Sequence, residues 1–216
     1  MIDVKISPEL NFAHLVRKNI LKSSVELKEE LKHRKISLIS EQPEFDKFLK
    51  FFKDNKEFLD TYCEKLIKII KSFKFSKLSY VEEFFGEKFP EQIDIYVGLG
   101  NSSRVTFGKN YGNFYLLLPR GFPKKMTPQK DFQVIIHELI HSLHYKKPIE
   151  RKIKNKDFFE YVVTSFAPEG ILFGNEAKKN NLDSVKLKKI FELVKNSNNI
   201  LECYAKCIKL KLWESN

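Results

Sequence analysis

Cysteine is scarce in this chain. Cys63, Cys203 and Cys207 make an odd, sparse set in 216 residues. Such a set excludes the dense disulfide framework of small secreted domains and reads as buried small hydrophobes or free thiols in a reducing compartment. Cys203 and Cys207 fit one helical face at i, i+4, but nothing pairs with them to suggest a metal site. Long apolar runs are missing too, so no membrane span is expected. Met1 to Pro8 lacks a basic segment followed by an apolar stretch, so no signal peptide is expected either. The cytoplasm is the expected location. No internal repeat, low-complexity run or Pro/Gly/Ser linker marks a boundary. Histidine is rare as well: His14, His33, His137, His141 and His144 are the full set.

Basic residues are plentiful. Lys and Arg number 39 against 28 Asp and Glu, a formal net charge of +11. That balance can signal nucleic acid or anionic membrane. Here the lysines are spread along the whole chain and no nucleic-acid motif accompanies them, so nucleic acid is not expected as a partner. The densest run, Lys146 to Lys156, reads first as a solvated loop. Its functional alternative is attraction of an acidic substrate or partner. With 42% hydrophobic and 13% aromatic residues the chain can bury a real core. Its length suits one domain or one and a half.

The most informative stretch is His137-Glu138-Leu139-Ile140-His141, which reads H-E-x-x-H. Histidines four positions apart lie about one turn apart on one side of a helix, so both imidazoles can grip one metal ion. Glu138, beside the first of them, is placed to take a proton from water on that metal. The helix that the motif needs is written around it. Thr127-Pro128 is a cap followed by proline at the first helical position, and Pro148 is the stop. At about 100° per residue, Phe132, Ile135, Ile136, Leu139, Ile140 and Leu143 share an apolar arc. Val134, His137, Glu138, His141 and His144 project from the other arc. The competing reading is a buried helix with two hydrogen-bonded histidines.

Two ligands do not hold zinc firmly, so a third is needed, with water in the fourth position. Glu160 is the first choice and Glu169, just after Pro168, its rival. Asp157 to Ala167 reads as a second helix, stopped by Pro168 and Gly170. Phe158, Phe159, Val162 and Phe166 form its apolar side. Asp157, Glu160, Thr164 and Ala167 form a small, polar opposite side. From there Glu160 can meet the histidine pair, and Asp157 or Thr164 can orient a histidine through a hydrogen bond.

On these residues the chain resembles the zincins, the H-E-x-x-H metallopeptidases, and within them the gluzincins. In gluzincins the third ligand is a glutamate on a helix some twenty residues after the second histidine. Here the spacing is 160 − 141 = 19. The resemblance spans roughly residues 90–175 and implies Zn2+ held by His137, His141 and Glu160, with Glu138 as general base. The gluzincin helix often reads N-E-x-x-S-D, whereas this one reads Phe159 to Thr164 around Glu160. The metzincin pattern is excluded, because His144 and Lys147 stand where its glycine and last histidine belong. The implied activity is zinc-dependent hydrolysis of peptide bonds in a peptide or protein substrate. The alternative is a zincin-fold binding or regulatory protein without turnover. A basic nucleic-acid-binding domain with an accidental motif is a further, weaker reading. Tyr161, His144, Tyr111 and Tyr115 are candidate donors to the oxyanion of the reaction.

The expected architecture is α+β and zincin-like: a small, mostly antiparallel sheet whose edge strand lies over an active-site helix, with extra N- and C-terminal helices. Ile93 to Val97 alternates as a strand should, and Val105 to Phe107 and Phe114 to Leu118 read as two more strands around a turn-rich 108–113 segment. By analogy with zincins, Asn113 to Leu118 is the expected edge strand, pairing with an extended substrate. Residues 1–90 read as a helical N-terminal region. Within it, 9–35 look helical, and 44–74 make one long or two shorter amphipathic helices. Residues 91–175 form the expected catalytic core. Residues 176–216 read as C-terminal helices broken near Asn196 to Asn199.

Overall fold

Period-two alternation of Ile and Val starts the sheet. A computed structural model describes residues 2–8, 11, 42–99, 104–107, 111–118, 127–144, 153, 155–177 and 181–213. Ile2, Val4 and Ile6 recur in β1 (Ile2–Ile6), and Ile93, Ile95 and Val97 in β2 (Gln92–Leu99). β3 (Arg104–Phe107) and β4 (Tyr111–Leu118) complete a four-stranded sheet of order β1-β2-β4-β3. β1 runs parallel to β2, with Ile2 opposite Ile93 and Ile6 opposite Val97. β2 runs parallel to β4, and β3 antiparallel to β4.

This sheet overturns the expectation of a mostly antiparallel one, since two of its three pairings are parallel. The class remains α+β, with helix predominating among the described residues. Parallel neighbours need a long crossover, and here helices lie between β1 and β2 in the chain. β4 is also no edge strand. β2 pairs with it from Tyr111 to Leu118, and β3 pairs with Gly112 to Tyr115 on the other side. The expected substrate-pairing edge at Asn113 to Leu118 is corrected accordingly. The edges are β1 and β3.

One face of β2 buries Ile93, Ile95 and Val97. Its other face carries Gln92, Asp94 and Tyr96. Asp94 is buried there, with Lys5 Nζ at 2.7 Å and donors from Gln92 (3.2 Å) and Tyr96 (3.3 Å). A buried carboxylate is tolerated because it is paired and hydrogen-bonded. The bond to Asp94 in turn raises the Lys5 pKa.

The amphipathic 44–74 region forms two helices, α1 (Gln42–Asp54) and α2 (Lys56–Ser72). They break at Asn55, whose side chain donates to the Phe51 carbonyl at 2.8 Å. Leu59, Tyr62, Cys63, Leu66 and Ile70 are the buried stripe of α2, which packs on β1 and β2. The helix expected at 9–35 lies outside the described residues except for Asn11. Asn11 is buried so close to Gly98 that a β-carbon there would sit 2.5 Å from its Oδ1.

The chain divides into two compact units. One is Met1–Ser72 with Pro90–Asp131, and the other is Phe73–Phe89 with Phe132–Asn216. The second unit holds α3 (Ser76–Phe85), most of α4 (Pro128–His144), α5 (Lys156–Phe166), a 3-10 turn (Ile171–Phe173), α6 (Ser184–Lys195) and α7 (Ile200–Lys209). α6 packs on both α5 and α7. The break between α6 and α7 falls at Asn196 to Asn199, where Asn199 caps α7 by accepting from Glu202 N at 2.9 Å. Phe84, Phe132, Phe158, Phe159 and Phe166 are its largest fully buried side chains.

Candidate metal centre

The helix that carries the H-E-x-x-H motif forms for local reasons. Thr127 opens α4: its carbonyl accepts from Lys130 N at 2.9 Å and its hydroxyl lies 3.4 Å from the same N–H. Pro128 takes the first helical position, where its missing N–H costs nothing. In the first turn, Asp131 accepts a short hydrogen bond from the Tyr62 hydroxyl of α2. Burial pushes the Asp131 carboxyl above the usual range, and the Tyr62 bond pulls it partly back. Phe132, Ile135, Ile136, Leu139, Ile140 and Leu143 are all buried, so the apolar arc faces the core. The other arc is graded. His137 is buried, Glu138 and His141 are half-buried, and Val134 is exposed.

α5 supplies the third group. Asn155 caps it by accepting from Phe158 N at 3.1 Å. Phe158, Phe159, Val162 and Phe166 are buried, but Val163, Thr164 and Ala167 are buried as well. The side expected to be polar is therefore mostly enclosed, with Glu160 half-buried within it.

Donor atoms of three residues converge between α4 and α5. His137 Nε2 and His141 Nε2 are 3.2 Å apart. Glu160 Oε1 lies 3.5 Å from His137 Nε2, and Glu160 Oε2 lies 3.2 Å from His141 Nε2. A tetrahedral ion with bonds near 2.0–2.1 Å spaces its ligands about 3.3 Å apart. The separations of the two imidazoles from each other and of each from one oxygen of the Glu160 carboxylate are close to that spacing. Among the described residues these three are the one group of His, Cys, Asp and Glu so arranged. A cation at their centre would satisfy both imidazole nitrogens together with the carboxylate.

The tautomer of His137 is also set. Its Nδ1 lies 2.9 Å from the Ala167 carbonyl. A carbonyl can only accept, so Nδ1 carries the hydrogen and Nε2 keeps its lone pair for a metal. From the sequence, Asp157 or Thr164 can supply such a bond. Asp157 is exposed, and Thr164 Oγ1 has no hydrogen-bond partner among the described residues. A usable signal was present: the last carbonyls of a helix have no intrahelical partner, and Pro168 ends this one at Ala167.

Of the other candidates, Glu169 is exposed and stands outside the triangle. Tyr161 is buried, and its hydroxyl accepts from Asp183 N at 3.1 Å. The side chains of Tyr111, Tyr115 and His144 lie outside the described residues, as does most of the basic run 146–156.

No protein-family model, curated protein or solved structure matches this chain. Its chemistry is therefore read from the triangle and the motif. No described helix is long and apolar enough to cross a membrane.

Thr164 yields a direct prediction. The neighbouring Ser165 hydroxyl bonds back to the Tyr161 carbonyl at 2.9 Å, whereas the fully buried Thr164 hydroxyl has no hydrogen-bond partner among the described residues. An unmet buried hydroxyl costs about 1–3 kcal/mol. Thr164→Val should therefore stabilise the protein by about 1 kcal/mol in denaturant melts. A clear loss of stability in that variant would mean that the hydroxyl has a partner in solution.

Proposed function

We propose that the protein is a zinc-dependent peptidase of the zincin type, hydrolysing peptide bonds. His137, His141 and Glu160 are the ligands and Glu138 is the general base. One observation carries this reading: three residues whose donor atoms approach one another to 3.2–3.5 Å, two of them from an H-E-x-x-H helix. When bound, zinc supplies Lewis acidity toward a peptide carbonyl and acidifies water.

The residues of the chain do the rest. His137, held by the Ala167 carbonyl, presents Nε2 in a fixed direction. His141 and Glu160 close the triangle, and the Glu160 carboxylate offsets part of the cation's charge. Glu138 adjoins His137 in sequence and is half-buried, which leaves its carboxylate partly open to solvent. It accepts a proton from water as that water attacks the carbonyl, and then delivers it to the leaving amine.

A second reading has one specific observation behind it. β4 pairs with β2 along its length and with β3 from Gly112 to Tyr115, so Asn113 to Tyr115 of the strand expected to bind an extended substrate are paired on both sides. That favours a metal-binding regulatory protein without turnover.

The two readings separate in one experiment. Protein purified without added metal is analysed for bound metal, then assayed on a broad peptide library before and after chelation. The peptidase reading expects about one zinc per chain and cleavage that is lost on chelation and restored by zinc. Zinc without cleavage points to the second reading. Absence of zinc, with none taken up on addition, sinks both.

A further inference from the structure

The chain leaves α7 through a Schellman turn. Leu212 N donates to the Cys207 carbonyl at 3.0 Å, and Lys211 N to the Ile208 carbonyl at 2.9 Å. The left-handed position of such a turn is usually glycine, yet here Lys211 occupies it with φ 54°. This turn delivers Trp213 onto α5. Its ring stands edge-on to Phe158 and to Tyr161, with centroids 5.5 Å away in each case. The Lys186 ammonium lies 3.7 Å from the centre of the Trp213 ring. That is well inside the range of a cation–π contact.

Phe158 and Tyr161 bracket Glu160 on α5. At about 100° per residue they lie some 60° apart, and Glu160 projects about 160° from Phe158. The indole therefore buttresses α5 from one side while the carboxylate reaches the histidines from the other. A helix is stiff, so a shift at Phe158 and Tyr161 carries through to Glu160. A change of a few tenths of an ångström matters in a triangle whose edges are 3.2–3.5 Å.

We propose that Trp213, clamped by Lys186, is a positioning residue of the metal centre: it holds α5 at the depth that places Glu160 against His137 and His141. This rests on the metal-centre reading above and assigns that centre a support which the H-E-x-x-H motif does not contain.

The test measures metal affinity, not turnover. Zn2+ dissociation constants are obtained by chelator competition, and Co2+ spectra report coordination, both well below the melting temperature. Trp213→Ala is expected to weaken binding by about 10–100-fold and to alter the Co2+ spectrum, as loss of ligand support does elsewhere. Trp213→Phe keeps an aromatic edge on Phe158 and should restore affinity to within about threefold. Lys186→Met should fall between the two, and it carries the test if Trp213→Ala does not fold. Leu78→Ala, in α3, serves as a control for general destabilisation. If Trp213→Ala lowers the melting temperature but leaves affinity within twofold of wild type, the proposal is overturned. An equal loss of affinity in Leu78→Ala overturns it too. A wild-type protein that binds neither ion overturns the metal centre itself and the buttress with it.

Discussion

Glu138→Gln is expected to lower peptide hydrolysis by about 10²–10⁴-fold, the usual contribution of a positioned general base. Glutamine keeps the size and shape of the side chain but has no basic oxygen to take a proton from water. The metal triangle consists of His137, His141 and Glu160 and excludes Glu138. The variant should accordingly retain about one zinc per chain and an unchanged Zn2+ affinity. Steady-state rates on the most rapidly cleaved library peptide, set beside metal content, give the result. Equal cleavage by both proteins would remove Glu138 from the mechanism. A loss of zinc in the variant would place Glu138 among the groups that hold the ion.

The second large effect is expected at a residue with no side chain. Gly170 lies where the chain turns back under the end of α5. A β-carbon there would stand 2.0 Å from the Ser165 carbonyl oxygen and 2.8 Å from the Phe166 carbonyl carbon. These are backbone atoms, so neither can rotate away. Gly170→Ala must push the turn off α5, and with it the Ala167 carbonyl that holds His137 Nδ1 at 2.9 Å. Overpacking of this kind costs about 1–3 kcal/mol, which corresponds to a melting temperature lower by roughly 3–10 °C. Zn2+ affinity should drop about 10–100-fold, because the hydrogen bond that orients a ligand is displaced. Gly86→Ala is the matched control. Gly86 has φ 67° and open space around it. Alanine there meets only the left-handed backbone penalty, about 1–2 kcal/mol, and should leave metal affinity alone. A Gly170→Ala protein with wild-type affinity would show that the Ala167 carbonyl does not govern His137.

The parts of the site written in local code are readable without coordinates. Thr127-Pro128, the apolar arc from Phe132 to Leu143 and the four-residue histidine spacing all act within one helix. The cap, the buried face and the paired imidazoles of α4 follow from them. Glu160 is reachable by the same logic, since a second helix with an acid on one face needs only a short connection.

Strand pairing is different. Three of the four strands could be located, but Ile2–Ile6 lies in a region expected to be helical, and nothing in Ile93 to Val97 says that its neighbours are Ile2–Ile6 and Tyr111–Leu118, both parallel. Proximity in sequence suggested a meander, and only β3 and β4 pair in that way. The supports of the site were also out of reach. Ala167 acts through its main chain, which has no side-chain signature. Trp213 acts through a fold contact across some fifty positions (213 − 161 = 52).

The pairing of β1 with β2 bears on how this protein is made. Ile2 meets Ile93 across 91 intervening bonds of chain. At roughly 5–20 residues per second, a nascent chain would display β1 for about 5–20 seconds before its partner strand leaves the ribosome. Closing that long loop must also precede any reward from the contact, so this step is intrinsically slow. During that interval Ile2, Val4 and Ile6 offer an unmatched strand to whatever is nearby, which leaves β1 open to wrong partners during synthesis.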